Sequence, residues 1–264
     1  MSDSADSLTQ SSSLTQSSTL KHPAQSPPPD PANAADPLSV HVNADARQVW
    51  TMLREPRLVA QWHGWEAEGL GDEIHSIYFA ASVKEGADHT SLTVDGGDTF
   101  RIQPVTDGTV VTIERADSDT DVTEGWVTFL QQLRFALERH PSGTRRTAFF
   151  SAPNAGETII EKLNAEQLQQ PGDSYSLSLP NGHELTGSVW FRSEKQLGLT
   201  VSQYADHGEG LVILADQPSS SMAIVSTYGL GANARREAFS AWDAFRQQHY
   251  PSSDPLVALD ADAG

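Results

Sequence analysis

The chain has 264 residues, 38% of them hydrophobic, with no cysteine and a formal net charge of −18. The lack of cysteine excludes a disulfide framework, a thiolate zinc site, an iron–sulfur cluster and a cysteine nucleophile. The acid excess opposes nucleic acid and anionic membrane surfaces, Arg145-Arg146 being no more than a pair, and no stretch reaches the roughly 20 apolar residues that span a bilayer.

Residues 1 to 36 read as a tail. Ser-Leu-Thr-Gln-Ser-Ser occurs twice in tandem, from Ser7 and from Ser13, before the Pro27-Pro28-Pro29-Asp30-Pro31 run. Such a composition cannot offset chain-ordering entropy, so disorder is expected. It holds no basic segment followed by an apolar one, so the expected location is the cytoplasm. The charge then serves solubility, or attracts a basic protein partner or a cationic ligand.

Structure is expected from Leu38. Leu38 to Val42 alternates as a half-buried strand does. Asp45 and Gln48 have capping-box spacing ahead of a helical stripe of Ala46, Val49, Trp50 and Leu53. Pro56 suits the first turn of a second short helix carrying Leu58, Val59 and Trp62. Residues 66 to 115 read as strands and turns: Ile74 to Ala81, then Ser91 to Val94 and Thr99 to Val105 about the Asp95-Gly96-Gly97-Asp98 turn, then Thr109 to Arg115. A strong helix follows, with Asp121 and Glu124 at capping-box spacing and Trp126, Phe129, Leu130, Leu133 and Leu137 on one stripe until His140-Pro141.

The remainder repeats this plan. Asn154 and Glu157 are cap candidates for a helix carrying Ile159, Ile160, Leu163 and Leu168. Strands are expected at 175–179, 184–192, 197–201, 211–215 and 222–228, then a helix over 232–249 with Ala238, Phe239, Trp242 and Phe245 together. An opening strand is not evident in this half. The resulting expectation is an α+β chain: a domain over 38–145, a second α+β part over 148–251 that is a divergent partial repeat, and a flexible C-terminal tail over 252–264.

Two stretches carry a family likeness. Val40 to Trp50 followed by Leu53, Pro56 and Trp62, and Thr123-Glu124-Gly125-Trp126 followed by Phe129-Leu130 and Leu133, resemble the opening and closing motifs of the SRPBCC (START-like, helix-grip) superfamily. The second motif is similar to that of the subgroup named after the C-terminal domain of the Hsp90 ATPase activator. The likeness spans residues 38 to 141. It implies a curved antiparallel sheet gripping a long C-terminal helix, with a cavity for a hydrophobic or aromatic small molecule between them. It also implies, as alternatives, a chaperone-cofactor role through a protein partner, or cyclase- or hydrolase-type chemistry. Residues 1 to 37 show no counterpart of the co-chaperone's N-terminal contact motif. A fold of this kind hosts many functions, so function rests on the site.

The candidate cavity residues are Trp62, His63, Trp65, Arg115, Trp126, Phe129, Leu130 and Leu133. The helical stripe lines a pocket or simply packs the core. Trp62-His63-Gly64-Trp65 forms a pocket mouth or a capped helix end whose aromatics fold inward. Arg115 turns inward to orient a ligand or pairs with an acid at the strand end. No catalytic residue and no cofactor is expected. The nine histidines do not cluster, and H-E-x-x-H, G-x-S-x-G and P-loop motifs are missing. Gly229-Leu230-Gly231 lacks the third glycine of a dinucleotide turn and follows an antiparallel strand.

Overall fold

The computed structural model describes residues 38–117, 122–154 and 156–259. The expected tail over 1–36, Asp121 of the expected capping box, and residues 118–120, 155 and 260–264 lie outside the described residues.

The first half runs β1 (Ser39–Val42), α1 (Ala46–Arg54), α2 (Pro56–Val59), α3 (Leu70–Tyr78), β2 (Lys84–Glu85), β3 (Ser91–Thr93), β4 (Thr99–Val105), β5 (Gly108–Glu114) and α4 (Thr123–Arg139). The second runs β6 (Arg145–Pro153), α5 (Ile159–Lys162), β7 (Ser174–Ser178), β8 (Glu184–Arg192), β9 (Gln196–Val201), β10 (Gly210–Asp216), β11 (Ser220–Tyr228), α6 (Ala232–His249) and β12 (Val257–Ala258). Two antiparallel sheets result, one of five strands ordered β1-β5-β4-β3-β2 and one of seven ordered β12-β6-β11-β10-β9-β8-β7. The α+β class and the two-half arrangement thus stand as expected.

One topology serves both halves. Each opens on a strand, passes through helix into an antiparallel meander, and closes on a long helix. In each, the opening strand pairs with the last strand of the meander: β1 with β5, and β6 with β11. The opening strand that the sequence hid is β6. Its buried Arg145 and Thr147 break the apolar alternation, and Ala148, Phe150 and Ala152 carry the buried face. The boundaries expected at 145 and 148 both fall inside this strand.

The sheets and helices stack in layers. Val40, Phe100, Val111 and Ile113 of the first sheet share one core with Leu130, Leu133 and Phe135 of α4, and with Trp190, Leu211, Ile213 and Ile224 of the second sheet. Val189, Val212, Leu214, Ala223 and Val225, on the opposite face of that second sheet, share the other core with Ala238, Trp242 and Phe245 of α6. The helix α4 is therefore covered on both sides, by the five-stranded and the seven-stranded sheet. Strands β9 and β10 are buried along almost their whole length, which is why they read as apolar runs rather than alternating ones.

Three expectations are corrected. The segment Ile74 to Ala81 is not a strand; α3 occupies it as far as Tyr78. Ile74 and Tyr78 are four apart and both buried, Gly69 caps the helix at φ 87, and Asp72 and Glu73 favour its N-terminal end. The helix expected to run past Ile160 to Leu168 is one turn, capped by Thr158 and Glu161 rather than by Asn154 and Glu157. Asn164, at φ 53, turns the chain away. The C-terminal segment contributes β12, where Val257 and Ala258 pair with Phe149 and Ala148. No helix among the described residues is long and apolar enough to cross a membrane.

Candidate functional site

Three elements meet at the N-terminal end of α4. Glu73 and Ile77 come from α3, Val94, Asp95 and Asp98 from the β3–β4 turn, and Val122, Gly125, Trp126 and Phe129 from the start of α4. Together with His63 they line a cavity of about 240 Å³. The turn is bolted to α3, because the Asp95 N–H donates to Ile77 O at 2.9 Å and Ser82 Oγ donates to Asp95 Oδ1 at 2.6 Å. It is bolted to α4 through Asp98, which accepts from Trp126 Nε1 at 2.7 Å and from the Ala116 N–H at 2.8 Å.

His63 forms the inner wall. Gly64 follows it at φ 54, a left-handed conformation that lets the chain turn sharply after α2. That turn sends Trp62 and His63 inward, while Trp65 stacks on Phe149 of β6 at 3.7 Å. The His63 residue is 2% exposed, its ring 4.5 Å from that of Phe129. Both ring nitrogens are engaged: Nε2 lies 3.3 Å from Glu73 Oε1 and Nδ1 lies 2.9 Å from the Tyr78 hydroxyl. An ionised Glu73 only accepts, so Nε2 carries the proton and Nδ1 accepts from Tyr78. Protonating Nδ1 would deprive the fully buried Tyr78 hydroxyl of its acceptor.

Burial pushes the His63 pKa below its ordinary 6.5, against the opposing pull of Glu73 and with a smaller push from the Arg145 charge. The same burial, with Glu73 nearby, raises Tyr78 well above its usual range. A histidine whose folded pKa is depressed is bound neutral. Its contribution is fully present above the unfolded pKa and is lost as pH falls below that value toward the folded pKa. Stability should therefore drop more steeply between about pH 7 and about pH 5 in the native chain than in His63→Gln, which keeps an acceptor and a donor in place. Urea unfolding of both proteins across that range measures the difference. His140 and His249 are also depressed by burial but are common to both proteins, so a pH-independent gap between the curves would refute the assignment.

Of the residues singled out from sequence, His63, Trp126 and Phe129 line the cavity. Arg115 stands behind it, Nε 3.0 Å from Asp98 Oδ2. Trp62 is fully buried and donates from Nε1 to Met52 O at 3.0 Å, and Leu130 and Leu133 are core residues. Glu73, Ile77, Tyr78, Asp95 and Asp98 were missed. Reading 74–81 as a strand left Glu73 in the loop before it, whereas α3 starts at Leu70 and carries Glu73 and Ile77 one turn apart on one face.

A larger groove, about 340 Å³, lies between α6 and the segment Pro255 to Leu259. Arg235, Arg236, Asp243 and Gln247 give it a polar surface, and among the described residues no buried polar side chain lines it, so the α4 cavity is the better candidate. Among the described residues no three or more His, Asp or Glu side chains gather as a metal site.

No protein-family model and no curated protein matches the chain. Solved structures similar to it include DynU16, a protein in the dynemicin biosynthetic locus, at 16% identity and a TM-score of 0.29, covering 78% of this chain and 93% of that one. Another is the di-domain ARO/CYC StfQ from the steffimycin biosynthetic pathway, at 11% identity and a TM-score of 0.28, covering 79% of this chain and 90% of that one. At these values neither likeness bears on function.

Proposed function

We propose that this chain is a non-enzymatic binding module for a small hydrophobic or aromatic molecule, held in the α4 cavity. The observation that carries the reading is a concave site walled by Ile77, Val94, Trp126 and Phe129, with polar groups converging at one side. Its volume of about 240 Å³ exceeds the roughly 150 Å³ that admits benzene in an apolar protein cavity. It falls short of the roughly 300 Å³ lower bound for drug-sized ligands. A one- or two-ring molecule fits. Binding is favoured over proton-transfer chemistry because both nitrogens of His63 are already committed within the protein. The likeness to the SRPBCC opening and closing motifs supports the same reading.

Gly125 offers a clean test. A Cβ there would meet nothing within 4 Å, yet the residue lines the cavity. Gly125→Leu should leave α4 at least as stable, since Gly125 sits in its first helical turn and glycine is a poor helix residue, while occupying ligand space. Native mass spectrometry of the purified chain, then calorimetry with indole, should show binding with a negative heat-capacity change in the native protein. The signal should fall at least roughly tenfold in Gly125→Leu. Equal indole affinity in both proteins, or no affinity in the native one, would overturn the proposal.

A further inference from the structure

Ligand charge is the next question, and it rests on the binding reading just given. The cavity mouth carries Glu73 and Asp95, both solvent-exposed carboxylates, and among the described residues no lysine or arginine lines the cavity. Asp98, the third acid, is balanced by Arg115 at 3.0 Å. Glu73 faces a histidine held neutral by burial and by the Tyr78 hydrogen bond, so that contact offsets no charge. Asp95 accepts from a neutral hydroxyl, Ser82 Oγ. Two full negative charges therefore border an apolar space. The opposing field is the N-terminal end of α4, equivalent to at most about half a positive charge, and Glu124 in its first turn offsets that. The surrounding chain adds to the negative side with its net charge of −18. The aromatic faces of Trp126 and Phe129 attract cations through their quadrupoles as well.

We propose that the cavity selects a small aromatic molecule bearing a protonated amine, with its ring against Trp126 and Phe129 and its ammonium at the mouth beside Glu73 and Asp95. A carboxylate-bearing analogue would meet the same two charges as repulsion, which gives discrimination a repulsive as well as an attractive component.

The test is calorimetry on the full chain with three matched probes: phenethylamine, phenethyl alcohol and phenylpropionate. The amine should bind best, by roughly tenfold over the alcohol and more over the acid, because two partly exposed carboxylates act together. Its advantage should shrink as salt rises. The double variant Glu73→Gln, Asp95→Asn should bring amine and alcohol to within a few-fold, with alcohol affinity retained as evidence that the cavity is intact. If the alcohol or the acid binds as well as the amine, the charge inference fails and the binding module stands. If none of the three binds while the protein is folded, the charge inference fails, and the indole titration decides the binding module separately.

Discussion

Trp242→Ala should destabilise the protein by about 3–5 kcal/mol, among the largest effects of any single truncation. Trp242 is fully buried at the centre of the core between α6 and the second sheet. Its ring lies 5.7 Å from that of Phe245, and its Nε1 donates to the Tyr204 hydroxyl at 3.0 Å. That hydroxyl in turn lies 3.2 Å from His183 Nε2, so the indole N–H is the group that satisfies it from below. Alanine leaves both a cavity and a buried hydroxyl short of a donor. Trp242→Phe keeps most of the apolar volume and should cost about 1–3 kcal/mol, from the lost hydrogen bond to a Tyr204 hydroxyl that keeps only His183 and from the smaller ring. Guanidinium unfolding of the two variants separates the contributions. A cost below about 1 kcal/mol for the alanine variant would mean that α6 does not anchor the second core.

The contrast with Trp126 shows what the two equivalent helices do. Both tryptophans belong to apolar stripes of helical periodicity, and sequence alone treats them alike. Trp126 sits at the cavity edge, its N–H spent on Asp98, and its ring meets Phe100 edge-on at 5.4 Å. Trp242 is fully buried in the core against the second sheet. Periodicity reports that a face is buried; it does not report whether the opposing surface fills the gap.

The same limit explains which elements were legible. The long helices α4 and α6 and the hairpin at Asp95-Gly96-Gly97-Asp98 follow from spacing and turn chemistry within a few residues, and the structure has them where expected. Strands β7 to β11 likewise stand at their expected places. What failed was decided by distant partners. Ile74 to Tyr78 is rich in residues that favour strands, and its helix is set by burial of Ile74 and Tyr78 against the first core. The strand β6 is hidden because its first residue is an arginine, which belongs on a surface by every local criterion. The site suffered in the same way. His63, Trp126 and Phe129 stood out as chemistry-bearing residues near helix ends, but Glu73 and Asp98 reach them only through the tertiary fold.

That arginine carries the second large effect. Arg145 is 4% exposed, and burial lowers its pKa from the ordinary guanidinium value. No carboxylate forms an ion pair with it among the described residues. Neutral acceptors hold it instead: Gly64 O at 2.6 Å, the Gln132 amide oxygen, and Ser226 Oγ at 3.1 Å. Those groups belong to the turn after α2, to α4 and to β11, so one side chain ties the first half, the central helix and the second sheet together. Arg145→Ala removes the donor to all of them and should cost about 3–5 kcal/mol. Arg145→Lys should be nearly as damaging, because a compact ammonium cannot span three acceptors the way a planar fork does. Arg145→Met should be the mildest, at about 1–3 kcal/mol: it fills the volume and ends the burial of an unpaired charge, leaving only the acceptors unsatisfied. The order matters more than the sizes. If methionine proves worse than lysine, the charge itself is stabilising and the account by neutral acceptors is wrong. The candidate site supplies an independent readout. The Arg145 charge is one of the influences that depress His63, so the methionine variant should raise the His63 titration midpoint seen by NMR. A purely structural role for Arg145, felt only through packing, would leave that midpoint where it is.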